Sequence, residues 1–406
     1  MRKINSKDFK VATRTTSRDI NRRIALNVIR ENQPLSRADL ARKMKITRGV
    51  AGTLVQELID QRMIVEGSIG EALRGRKPTF LHIRTHDRLV IAVDVRFSKT
   101  YLMLSDFGGQ QLALEMFDTV FEIPKFIDDL ASRIKRILIS QGAGGACEGV
   151  GIVVPGMVDL RTGTILNAPT LGWRNIDIRD NLVQKLKMPV QIENAGRACA
   201  IGHLWLEKAN SAPQDFVYVN VSDGVGIGII RNGEVIRGHN FIAGEFGHLP
   251  LNLDGPQCMC GSRGCWEAYV SNLASLARYF GRNLSKVGTN NGQLHHESFT
   301  VLDLIDRARG GDKKALAAIN ETAHYLGLGL ASVINLINPD VIYLAGEIIM
   351  AWDLIEKPVR EAISGRALTD AAAQTRLRIS TAEQYPRLRG AAALLAAPTF
   401  AAPHIA

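Results

Sequence analysis

The sequence predicts an α/β protein of two similar lobes, preceded by a small basic module of helices and a hairpin. Three observations predict it. Residues 1–84 hold 19 Lys+Arg against 8 Asp+Glu, while the remainder holds 31 against 32. The excess of positive charge therefore sits in the first fifth of the chain. A strand–turn–strand–turn–strand pattern occurs twice, at 89–117 and 216–238. Between the second pattern and the C-terminus, the stretch 244–267 packs His248, Cys258, Cys260 and Cys265 into eighteen residues.

At 406 residues the chain has room for two or three domains, and 46% hydrophobic residues supply sizeable cores. No apolar run approaches bilayer length, and no apolar segment follows the basic start. The expectation is a soluble cytoplasmic protein with no membrane insertion. Three clustered cysteines among five fit a metal in a reducing compartment better than a disulfide framework. Cys147 and Cys199 read as core residues.

The basic module comes first. Residues 1–18 are polar and read as an arm. Ile20, Ile24, Val28 and Ile29 mark one face of a helix ending near Glu31. Ser36, with Asp39 three residues on, forms a capping box for a short helix, RADLARKM, that buries Leu40 and Ala41. Thr47 caps a third helix in which Val50, Leu54 and Leu58 recur on the core side. The stretch 63–83 then reads as two strands around a loop carrying Arg74, Arg76 and Lys77. Helix, short helix, turn, helix and basic hairpin is the winged helix-turn-helix order. In such a module the third helix enters the major groove. Thr47, Arg48, Thr53 and Gln56 are then candidates for base edges, with Arg48 suited to guanine and Gln56 to adenine. Arg74, Arg76 and Lys77 would meet phosphate or a minor groove. The alternative is a protein-interaction module with a solvated basic face. The charge asymmetry favours double-stranded DNA.

Each meander is followed later by a buried strand of parallel type, VGIVV at 150–154 and VIYLA at 341–345. Helical stretches intervene, for instance Ile127, Leu130, Ile134 and Leu138 on one face. Duplication of this kind gives two lobes with a cleft between them.

The spacing in 244–267 is His-x9-Cys-x-Cys-x4-Cys, with Gly255, Pro256, Gly261 and Gly264 as turn formers. Three thiolates and one imidazole make a closed tetrahedral set for Zn2+, with no position for water, so the metal reads as structural. The other reading is three unrelated core cysteines. Glu245 and Glu267 flank the cluster and would be held rigidly by a metal-stapled loop.

Six segments carry a family resemblance: VPGMVDLRTGTILNAPTLGW (154–173), PVQIEN (189–194), DGVGIGIIRNGEVIRG (223–238), AGEFGH (243–248), CMCGSRGCWE (258–267) and NPDVIYLAGE (338–347). With them the chain resembles the ROK family of repressors, open reading frames and sugar kinases. The basic module adds a resemblance to its transcriptional-repressor branch, of xylose-repressor type. The resemblance covers nearly the whole chain. It implies an actin-like ATPase (ribonuclease H-like) fold over 85–406, with a winged helix-turn-helix over 1–84. It implies zinc on His248, Cys258, Cys260 and Cys265, and a monosaccharide held by Asn194, Glu245, His248 and Glu267. Carboxylates accept hydroxyl hydrogen bonds, and an amide can donate and accept. Capping or solvation is the plainer role for Asn194 and the two Glu residues.

Departures from the family pattern separate its branches. Its kinases carry a general-base Asp directly after the Asn of the Asn194 motif; here Ala195 stands there, and the ~10²–10⁴-fold typical of general-base catalysis is absent. Their first phosphate turn is Asp-x-Gly-Gly-Thr; here it is DVRFSKT, with Arg96 and Phe97 in place of the glycines. Val225 replaces a Thr, and LAGE replaces a Gly-Gly. The expectation is a non-enzymatic, sugar-responsive DNA-binding repressor acting as a homodimer or higher oligomer on paired half-sites. A sugar kinase of glucokinase type, or a bifunctional kinase-regulator, is the alternative. A repressor bound by a transport protein is a third.

Overall fold

The computed structural model describes residues 13–69, 79–143, 146–206, 213–282, 299–380 and 385–401. The basic module comprises α1 (Arg14–Asn32), β1 (Leu35–Ser36), α2 (Arg37–Met44), α3 (Arg48–Asp60), β2 (Ile64–Ile69) and β3 (Thr79–Ile83). The sequence boundaries of α2 and α3 hold because their caps are local. The Ser36 amide donates to Asp39 Oδ2 at 2.9 Å while the Asp39 amide donates to Ser36 Oγ at 3.2 Å. Thr47 accepts the Val50 amide. Strand β3 pairs antiparallel with both β1 and β2, which completes the winged arrangement.

Two expectations are corrected here. Helix α1 starts at Arg14, under a Thr13 capping box, not near Ile20, so residues 14–18 of the expected arm are helix. The core-facing positions are also displaced. Val50 is 47% exposed and Ile24 46%, whereas Ala25, Leu26, Ile29, Ala51, Leu54, Val55 and Leu58 are buried. A helix of 3.6 residues per turn lets neighbouring i, i+4 series compete for one face, and the longer buried series wins.

The rest is one topology used twice. Strands β4 (Leu89–Val95), β5 (Lys99–Asp106) and β6 (Gln111–Asp118) form an antiparallel meander; helix α4 (Ile123–Ser140) leads to β7 (Cys147–Val154), parallel to β4. A small sheet of β8 (Met157–Asp159), β9 (Thr164–Ala168) and β10 (Trp173–Asp177) follows. Helix α5 (Ile178–Leu186) and strand β11 (Val190–Asn194), parallel to β7, complete the lobe. Helix α6 (Ala195–Leu206) crosses over. The second lobe repeats the scheme with the meander β12 (Phe216–Val221), β13 (Val225–Arg231) and β14 (Glu234–Val235). After α7 (Glu267–Val270), α8 (Asn272–Phe280), α9 (Val301–Arg309) and α10 (Lys313–Ile337) comes β15 (Val341–Ala345), parallel to β12. Helices α11 (Trp352–Ser364) and α12 (Asp370–Ala373) then precede β16 (Arg376–Ile379), parallel to β15. The sheet orders β11-β7-β4-β5-β6 and β14-β13-β12-β15-β16 correspond strand for strand, in reverse.

The final helix, α13 (Pro386–Phe400), lies against β4 and β7 on one side and α6 on the other. The approach is close enough to require glycine: a Cβ on Gly390 would stand 2.3 Å from the Ala198 carbonyl oxygen. Helix α13 also carries the basic module. Asn27 Nδ2 donates to the Phe400 carbonyl at 2.8 Å, Arg23 Nη1 to that of Pro398 at 3.0 Å, and the Arg30 guanidinium lies 4.6 Å from the Phe400 ring centre. One apolar cluster accordingly runs from Ile29, Leu40 and Leu58 through Leu81 to Val90, Met103, Leu388 and Phe400. Among the described residues no helix is long and apolar enough to cross a membrane.

Candidate ligand cleft and metal cluster

Between the lobes lies a cleft of about 750 Å³ of empty space, part of it open to solvent. Asn194, Glu245, His248 and Glu267 all line it, with Ala195 beside Asn194. The β11–α6 junction supplies Asn194 and Ala195. The turn between β12 and β13 supplies Asp223 and Gly224, and the start of β13 supplies Gly226. Glu245, at the start of the short 3-10 turn Phe246–His248, His248 itself and Glu267, the first residue of α7, come from the second lobe as well.

Glu267 Oε2 accepts the Val225 amide at 2.9 Å, and a Cβ on Gly224 would stand 2.6 Å from that oxygen. The carboxylate is thus seated on the glycine turn. Burial pushes the Glu245 carboxyl up, and the charges of Arg197 and His248 oppose the rise. Asn194 is less free than its position suggests. Its Oδ1 accepts the amides of Gly196 at 2.8 Å and Arg197 at 3.2 Å, capping α6, and its Nδ2 donates to the Gly156 carbonyl at 2.8 Å. The capping role is real, and it leaves one amide hydrogen toward the cleft.

His248, Cys258, Cys260 and Cys265 form a cluster that could hold a metal ion, their ligand atoms all within 4.8 Å of one another. Cys258 Sγ is 3.8 Å from His248 Nδ1, and Cys260 Sγ is 3.8 Å from Cys265 Sγ. A tetrahedron with metal–sulfur bonds of ~2.3 Å has edges of ~3.8 Å, so the donor set fits zinc. His248 turns Nδ1 toward Cys258, and a metal held there would leave Nε2 as the other ring nitrogen. Around the cluster, Gly264 at φ 68° brings its Cα beside Asn252, where a Cβ would stand 1.6 Å from the carbonyl oxygen. Trp266, buried, donates from Nε1 to the Tyr325 carbonyl at 2.9 Å and anchors the loop to α10. Burial raises the Cys258 thiol pKa, and pushes that of Cys265 up to about 11.

On α3, Thr47, Arg48, Thr53 and Gln56 are exposed on one stretch of surface. Gln56 Nε2 donates to Asp60 at 2.9 Å, and Thr53 Oγ1 to the Gly49 carbonyl at 3.2 Å. Arg74, Arg76 and Lys77 lie outside the described residues.

Two residues of the cleft region, Arg197 and Arg387, had no sequence signal, and a third, Arg96, had one only as a departure from the phosphate turn. Arg197, 1% exposed on α6, pairs with Glu193 at 2.8 Å and donates to the Ala243 carbonyl, rooting the loop that bears Glu245. Arg387, on the first turn of α13, and Arg96, between β4 and β5, line the same cleft.

The family model of the ROK family matches residues 90–397. The chain belongs to the ROK family. Within it, the chain is 28% identical over 358 residues to the xylose repressor of Bacillus subtilis, covering 88% of this chain and 89% of that protein. A crystal structure of a ROK family transcriptional regulator, a homologue of the E. coli MLC protein, superposes with a TM-score of 0.76 at 24% identity, covering 95% of this chain and 97% of the other. The ROK family glucokinase from Streptomyces griseus, in complex with glucose and AMPPNP, gives 0.64 at 28% identity, covering 98% of the glucokinase but only 75% of this chain. The two-lobed actin-like fold is thereby established for this ROK-family member. A quarter of the chain has no counterpart in the glucokinase and nearly all of it has one in the regulator.

Proposed function

We propose that this ROK-family protein is a sugar-responsive DNA-binding repressor of carbohydrate genes without kinase activity. The observation that carries the reading is Ala195. It stands beside Asn194 on the cleft wall, in the place where the family's kinases carry their base, in a chain that also bears a winged basic module. A methyl group takes no proton. Residues 1–84 constitute the DNA-binding part, with Thr47, Arg48, Thr53 and Gln56 at base edges and Arg74, Arg76 and Lys77 on the backbone. Residues 85–406 take a monosaccharide through Glu245, His248, Glu267 and the remaining amide hydrogen of Asn194. Zinc on His248, Cys258, Cys260 and Cys265 is structural: it fixes the loop from which two of these contacts project, with Glu267 two residues beyond. A cytoplasmic homodimer reads a palindromic operator, and sugar in the cleft weakens that grip.

The relatives' range, repressors on one side and glucokinases on the other, sets the test. A coupled phosphorylation assay over a panel of monosaccharides, run beside operator binding, is expected to give DNA binding without turnover. Robust phosphorylation would overturn the reading.

A further inference from the structure

The part of the cleft where the family's kinases would place a nucleotide holds a chain of ion pairs. Asp94, fully buried at the end of β4, is held by two guanidinium groups: Arg96 Nε at 2.7 Å on one oxygen and Arg387 Nε at 2.7 Å on the other. Arg96 Nη1 continues across the cleft to Glu347 at 3.2 Å, on the turn after β15 in the second lobe. The other Glu347 oxygen accepts from Asn272 Nδ2 of α8 at 2.9 Å. The Arg96 guanidinium lies 4.7 Å from the Tyr101 ring centre, and its side chain faces the same cavity as Gly224. A polyphosphate lying between the two turns would have to share that space. Its charge would also meet an arginine whose partners are already two carboxylates.

We propose that Asp94–Arg96–Glu347 is an inter-lobe latch that takes the place of a nucleotide, joining the lobes on that side so that only the sugar side is left to open and close. The idea rests on the repressor reading for its purpose but not for its test. Arg387 places the latch in series with α13, whose far end holds α1. Parting the lobes on this side breaks the Arg96–Glu347 pair and leaves the Glu347 carboxylate with Asn272 alone, which opposes the motion.

The test uses the full-length, zinc-loaded protein without sugar or DNA. Glu347 is not among the residues that line the cleft, so Glu347→Gln takes the charge out of the bridge while keeping shape. Amide hydrogen exchange is read at 94–98 in the first lobe and at 346–351 in the second. Loss of a charge-assisted bond is expected to speed exchange about tenfold or more at both places. Arg96→Met should speed exchange at the same two places, more strongly at 94–98 because it also takes a partner from Asp94, and the double variant should be no worse than Arg96→Met alone. Glu347→Asp, one methylene short, serves if either variant unfolds, and should show the effect in part. Exchange in the first lobe unchanged by Glu347→Gln, or additive effects in the double variant, would overturn the latch. So would tight binding of magnesium AMPPNP by the unaltered protein with Arg96 in place. A wild-type protein that binds no glucose, xylose or N-acetylglucosamine would count against the sugar reading and leave these outcomes readable.

Discussion

Glu267 and Val225 are joined by a hydrogen bond of 2.9 Å from the Val225 amide to the Glu267 carboxylate. It ties a residue two positions beyond the cysteine cluster to the glycine turn of the second meander. This cleft carboxylate therefore depends on two loops at once.

Gly224→Ala should displace that carboxylate, since the new Cβ would stand 2.6 Å from Oε2. A charge-assisted hydrogen bond lost in a cleft corresponds to roughly 1.5–3 kcal/mol, so sugar affinity should fall about 10–100-fold. Glu267→Gln, which can still accept the Val225 amide, should fold normally and lose less. Isothermal titration of both variants checks this; equal affinity in Gly224→Ala and the parent would show that Glu267 does not touch the ligand.

Metal content is the second expectation: about one zinc per chain, by elemental analysis. Each thiol must lose its proton to bind, and burial raises the thiol pKa of Cys258 and Cys265. Protons therefore compete with the metal, and zinc affinity should fall as pH drops, with proton release on binding. Cys260→Ser should weaken metal and sugar binding together. Metal-free protein that binds sugar unchanged would contradict the staple.

Phosphoryl transfer should be absent, and Ala195→Asp should not restore it. The new carboxylate would supply a base, yet Arg96 would still stand between the phosphate turns, bridged to Asp94 and Glu347. Measurable turnover in Ala195→Asp alone would show that the nucleotide half is open.

DNA contacts divide by type. Arg48→Ala should cost ~1–3 kcal/mol at a guanine position and relax preference there. Gln56→Ala should matter less, because its amide already donates to Asp60 at 2.9 Å. Arg76→Ala should weaken all sequences and flatten the salt dependence, which for ~6–10 phosphate contacts amounts to ~10³–10⁵-fold between 50 and 200 mM. Fluorescence anisotropy against operator and scrambled duplexes at several salt concentrations separates the three.

What could be read from the sequence was local. Ser36 with Asp39, and Thr47 with Val50, are caps closed within three residues, so both helices were placed correctly. The meanders are sequential pairings, and the cysteine cluster is one loop. The face of α3 was misread at Val50 because competing periodicities differ by one residue. Arg387 was invisible for the opposite reason. It donates to the Val95 carbonyl 292 residues away, and nothing near Arg387 in the chain anticipates Asp94. Arg96 was read as an obstacle to phosphate; its second role, reaching Glu347, depends on how the lobes meet.

The central claim is that occupancy of the cleft changes the grip on DNA through α13 and the module it carries. The direct measurement is operator affinity by fluorescence anisotropy at fixed salt, with and without a sugar shown by thermal shift to bind. The account predicts a loss of affinity of about 5–150-fold with sugar, the range set by a coupling free energy of ~1–3 kcal/mol. The same operator affinity with the cleft filled would contradict it.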